Sequence, residues 1–112
     1  MKSYTDLEQS KRLAEILPLE SADMRFCFSH TLGGRITGHY PMIGREPSLG
    51  TIPCWSLAAL LSVLPEGTRL LKSATDDTYH CDCPKGNIDK WFDNSIDACV
   101  AMIVKLYEQK LI

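Results

Sequence analysis

The side chains with the greatest chemical reach in this 112-residue chain are five cysteines, three histidines and a run of cationic residues that no carboxylate interrupts. Between Asp23 and Glu46 stand Arg25, His30, Arg35, His39 and Arg45, interleaved with Gly33, Gly34, Gly38 and Gly44. Donors of this kind on a glycine-rich backbone suit a phosphate, a carboxylate or a nucleic-acid backbone, because charge-assisted hydrogen bonds form where the chain can approach closely. A two-residue turn at Gly33-Gly34 pairs Leu32 with Arg35, His30 with Thr37 and Phe28 with His39. That register gathers both imidazoles and Arg35 on one face, with Arg45 nearby. The candidate binding residues are therefore His30, Arg35, His39 and Arg45. The alternative is a solvent-exposed hairpin whose balancing acids lie on another element. No Walker or dinucleotide fingerprint is present in it.

The cysteines invite two further chemistries. His80-Cys81-Asp82-Cys83 offers zinc's preferred donors, but in a strand Cys81 and Cys83 project with Tyr79 to one face and His80 and Asp82 to the other, and no second C-x-x-C pair follows. The expectation is core filling and no metal. Cys99 falls on an apolar helical stripe, and Cys27 has no partner in the pattern. Cys54 reads as a first-turn residue of a helix, where amide donors and the helix dipole lower a thiol's pKa, and His80 is the one histidine downstream of it. This pair is the basis of a small cysteine-dependent hydrolase. Against it, Pro53, Trp55 and Leu57 predict burial, which raises a thiol's pKa. The acids Asp76, Asp77, Asp82, Asp89, Asp93 and Asp97 fit turn and cap positions better than a calcium loop, whose spacing is absent.

The elements that must position these residues follow from capping and periodicity. Thr5-Asp6-Leu7-Glu8 has capping-box spacing and opens a helix to about Leu17, closed by Pro18. Met24 to Leu32 and Arg35 to Tyr40 form a hairpin. Pro53 suits the first turn of a second helix to Leu64, apolar almost all round, with Trp55, Leu57 and Leu61 as candidate interface positions of a homodimer. Thr68 to Thr75, Thr78 to Cys83 and Ile88 to Phe92 read as a meander with turns at Asp76-Asp77 and Pro84-Lys85-Gly86-Asn87. A last helix, capped by Asp93, Asn94 or Ser95, repeats Ile96, Cys99, Val100, Ile103, Leu106 and Tyr107 at helical spacing. The order α-ββ-α-βββ-α predicts a single α+β domain over 1–112, with antiparallel sheet and helices packed on it, since the strand connections are too short for parallel crossovers.

The segments IPCWSLAALLSVLP and SIDACVAMIVKLYE, with QSKRLAEILPLESADM, resemble those of a family of short uncharacterised proteins of gut anaerobic bacteria and their phages or mobile elements, over about half the chain. The resemblance implies bacterial or phage origin and a cytoplasmic location, and it carries over no catalytic residue.

Composition bounds the rest. Apolar residues make up 45% and charged residues 23%, enough to build a core, and this excludes collagen, low-complexity disorder and a disulfide miniprotein. Twelve basic and fourteen acidic residues leave a formal charge of −2, so no global field favours nucleic acid or an anionic membrane. No apolar run approaches the length of a bilayer span, and an odd, dispersed set of cysteines fits free thiols in a reducing cytoplasm. No cofactor fingerprint and no complete nucleophile-base-acid set is visible. The leading expectation is a small non-enzymatic binding or accessory protein whose partner is another protein, a second copy or a weakly held anion. The competing expectations are the Cys54–His80 hydrolase and an anion or nucleic-acid-backbone binder acting through hairpin 25–45.

Overall fold

The computed structural model describes residues 2–30, 36–43 and 51–112, with backbone alone at Ser29, His30, Ile36, Thr37 and His39. It is an α+β protein, with two antiparallel three-stranded sheets and three α-helices among the described residues. Helix α1 spans Leu7–Ile16. Its cap is Asp6, one residue later than the Thr5 expected, and the reciprocal bonds of the capping box run between Asp6 and Gln9. Thr5 is displaced from that role because it is wholly buried, its hydroxyl accepting the Trp55 amide at 3.1 Å and lying 2.7 Å from Ser10 Oγ. A 3-10 turn at Leu19–Ser21 follows Pro18.

The first sheet has the order β2-β1-β3, from β1 (Met24–His30), β2 (Ile36–Ile43) and β3 (Ile52–Cys54). Strand β3 corrects the expectation that Pro53 and Cys54 open a helix: Pro53 lies opposite Arg25 and Cys54 opposite Met24. A proline is tolerated in such a short edge strand because the missing N–H sits where the ladder needs no donor. Helix α2 then covers only Leu57–Val63, capped by Ser56, whose hydroxyl accepts from the Ala59 amide.

The second sheet, order β4-β5-β6, contains Arg69–Lys72, Tyr79–Cys83 and Gly86–Asn87. The third strand of the expected meander is reduced to Gly86–Asn87, with a lone bridge from Phe92 to Tyr79 further along. Gly86 is admitted there because a Cβ would meet Leu106 Cδ2 at 3.1 Å, so this strand lies close under the last helix. That helix, α3 (Ser95–Glu108), is capped by Asn94 and buries Ile96, Cys99, Val100, Ile103 and Leu106 of the predicted stripe, whereas Tyr107 at its end is exposed, its ring beneath the Arg12 guanidinium. It packs on β5 and α2, forming one core with Leu13, Trp55 and Leu60. No helix among the described residues is long and apolar enough to cross a membrane.

Candidate functional site

Strand β1 alternates Met24, Phe26 and Phe28 with Arg25, Cys27 and Ser29, the period-two pattern of a strand with one face toward a core. Phe26 takes that face: it is buried, with the Tyr4 ring edge-on at 6.0 Å. Strand β3 pairs only with Met24, Arg25 and Phe26, whereas β2 pairs along the whole of β1. Beyond Phe26, then, β1 has β2 as its only partner strand among the described residues, and the hairpin continues as a two-stranded arm. At its root the arm exposes Tyr40, Met42 and Ile43, the last with 86% of its surface accessible. Cys27 Sγ lies 3.5 Å from Met42 Sδ.

The register brings Phe28 opposite His39, as expected, but His30 opposite Ile36 rather than Thr37, because an irregularity falls between Ser29 and His30. Arg35, Arg45 and the Gly33-Gly34 turn lie outside the described residues. The charge pattern of the arm stands on sequence: residues 24–45 hold three arginines and no carboxylate, and the remainder holds nine basic against fourteen acidic residues.

Beside the arm's root is a cleft of about 330 Å³ between the 3-10 turn and α2, lined by Glu20, Ser21, Asp23, Ala58, Ser62 and Val63. It shares Ser21 and Val63 with an apolar hollow of about 290 Å³ bounded by Ile16, Leu17, Pro18 and Ile112. Asp23 fixes the cleft's wall by accepting from the Ser56 amide at 2.9 Å and from the Ser56 hydroxyl, which ties the strand entry to the start of α2. Trp55 Nε1 donates to Ser21 Oγ at 3.0 Å and holds the 3-10 turn from beneath. The cleft was invisible in sequence, although the Ser56 cap ahead of a short apolar helix was a signal for its upper wall.

The other candidates are placed as follows. Cys54 is wholly buried in β3, and its thiol is pushed up to about 12 by burial, by the Asp23 carboxylate and by Cys27. Because α2 begins at Leu57, no helix N-terminus acts on Cys54, and the expected lowering of its pKa has no source. His80 is in β5 of the other sheet, its Nδ1 3.2 Å from the Lys90 carbonyl and its ring 5.2 Å from the exposed Trp91. Cys81 and Cys83 are buried while His80 and Asp82 are not, as the strand period predicts. Cys99 meets Cys81, and that hydrogen bond together with burial pushes the Cys99 thiol up. Among the described residues, no three His, Cys, Asp or Glu side chains gather as metal ligands.

Trp55 is corrected as an interface candidate: it is 0% exposed, consumed by its own core. Leu57 is half-buried and Leu61 exposed, so only the outer side of α2 is offered to solvent. Asp76 accepts from Thr78 Oγ1 at 2.5 Å in the turn predicted for it, and of the three residues offered as the cap of α3, Asp93, Asn94 and Ser95, it is Asn94 that caps it. Compared with protein-family models, curated proteins and solved structures, the chain matches none of them.

Proposed function

We propose that the protein is a small non-enzymatic binding protein of a bacterial or phage cytoplasm, and that the outer part of its β1–β2 arm engages anionic groups of a partner. The observation that carries this reading is the arm: two strands paired to each other past the point where the body supports them, in the longest carboxylate-free stretch of the chain, which holds three arginines. A two-stranded ribbon has little stability of its own, and a net acidic chain has no need of a cationic projection to fold, so recognition accounts for both features together. The origin and compartment rest on the family resemblance.

The test is a titration with inorganic phosphate and, separately, with a duplex oligonucleotide, following the histidine NMR resonances. Shifts at His30 and His39 that fade as salt rises are expected, because exposed charge contacts are screened. Unmoved resonances at both histidines in both titrations would overturn the reading.

A further inference from the structure

The geometry points to the outer face of the second sheet as a docking site for an arginine side chain of a basic partner segment, held by the Trp91 ring, the His80 imidazole and the carboxylates of Asp89 and Asp93. This face belongs to a different sheet from the arm and takes the opposite charge, and neither assignment requires the other.

Register builds the site. Leu71 lies opposite His80, and the antiparallel bridge between Tyr79 and Phe92 sets His80 opposite Trp91, so the three form one row across the sheet. Because Cys81 and Cys83 turn to the core, His80 takes the other face. On that face the His80 and Trp91 rings are 5.2 Å apart and tilted by 32°. Leu71 is 40% and Trp91 45% exposed, and neither side chain belongs to the core cluster.

Charge and donor balance select the occupant. His80 Nδ1 is 3.2 Å from the Lys90 carbonyl. A carbonyl only accepts, so in the neutral ring the proton sits on Nδ1 and Nε2 is left as an acceptor. Asp89 and Asp93, two residues to either side of Trp91, are exposed, and neither forms an ion pair among the described residues. The cations beside the row are already engaged: Arg69 with Asp82 at 2.5 Å, Lys72 with Asp77 at 3.5 Å, and Lys90 over the Phe92 ring, 5.1 Å from its centroid. Residues 66–93 hold four basic and six acidic residues, so the charge left over in this stretch is negative. An indole attracts a cation, and imidazole nitrogen and carboxylates accept N–H donors. A guanidinium answers all three, because it joins a flat stacking surface to a fan of donors, whereas an ammonium has the charge without the plane. A nucleobase stacks equally well but brings a phosphate that the unpaired carboxylates repel.

The experiment titrates the full chain with a capped peptide of alternating arginine and glycine. It follows the indole N–H resonance of Trp91, with that of the wholly buried Trp55 as internal reference. Trp91 and the His80 ring are expected to shift while Trp55 stays. Followed through His80, Trp91→Leu is expected to lower the affinity about tenfold, on the scale of one cation–π contact. The double change Asp89→Asn and Asp93→Asn is expected to lower it about tenfold through lost charge-assisted bonds. All three positions are exposed, so the variants keep the unfolding curve of the unaltered chain. An unmoved Trp91 resonance overturns the proposal, as does undiminished affinity in either variant. So does an equal response to a lysine peptide, or to one carrying uncharged citrulline in place of arginine. Movement of Trp91 with single-stranded oligothymidylate would assign the face to nucleobases, and movement with protein concentration alone to a second copy; either result overturns the arginine assignment. The responses of His30 and His39 to phosphate are read separately, so the arm's anion binding stands or falls on its own.

Discussion

The Asp97 carboxylate accepts from Lys2 and from Gln9, each at 2.8 Å, and from Asn94 Nδ2 at 2.9 Å, so three separate segments converge on one charge. Burial alone would raise its pKa, but these three donors outweigh it and hold the carboxyl below its ordinary value. Lys2 is the mirror case: burial pulls it down, the bonds to Asp97 and Asp6 win, and its pKa is raised. A depressed carboxylate contributes stability that is present above its unfolded value and lost as pH falls through the folded one. For the raised lysine the contribution is present below 10.5 and lost as pH climbs through the folded value. Asp97→Asn is therefore expected to cost about 1 kcal/mol at neutral pH, on the scale of a partly exposed charge network. It should also flatten the acid limb of the stability curve below about pH 4; an unchanged acid limb in urea unfolding would show that the network carries no linkage.

The same scale decides the thiols. With a pKa of about 12 in place of 9.0, Cys54 holds about a thousandth of the ordinary thiolate at neutral pH. In the folded protein Cys54 should label far more slowly than half-exposed Cys27, with the difference abolished in denaturant. Fast labelling of Cys54 in the native state would return it to the list of nucleophile candidates.

At the scale of elements, α2 depends on its first residue. Seven residues give too few hydrogen bonds to persist alone, and Ser56 both accepts from Ala59 and is gripped by Asp23. Ser56→Ala removes the cap and leaves a carboxylate without its hydroxyl donor. A loss of about 1–2 kcal/mol is expected from cap deletion, measured by chemical denaturation; a change within experimental error would assign the start of α2 to core packing by Leu60 alone.

This element also shows where sequence reading reaches its limit. The stripe of α3 was legible because one long amphipathic period needs no outside information. Pro53 was not, because it suits a first helical turn and a short edge strand equally well. What separates the two is Asp23, thirty-three positions earlier, which reaches Ser56 and moves the helix start past Cys54. The site divides the same way. Its cationic composition was visible in the residues, while its projection depends on β3 being only three residues long, a tertiary fact with no local signal.

On the scale of the whole molecule, the extents of 49 × 32 × 20 Å describe a body with one long axis. Strands β4 to β6 and α3 close on one another over short sequence distances, whereas the N-terminal segment is held from far away. Tyr4 bridges Ser56, Thr5 bonds the Trp55 carbonyl, and Lys2 reaches Asp97, ninety-five positions on.

That last bond has a consequence for synthesis on the ribosome. A segment made early is anchored by one made ninety-five positions later, so α1 must wait beside an incomplete core until Asp97 and the rest of α3 have emerged. During that interval the buried surface of Leu13 has no lid, and the nascent chain depends on the speed of its own translation, or on a chaperone, to keep that helix from binding elsewhere.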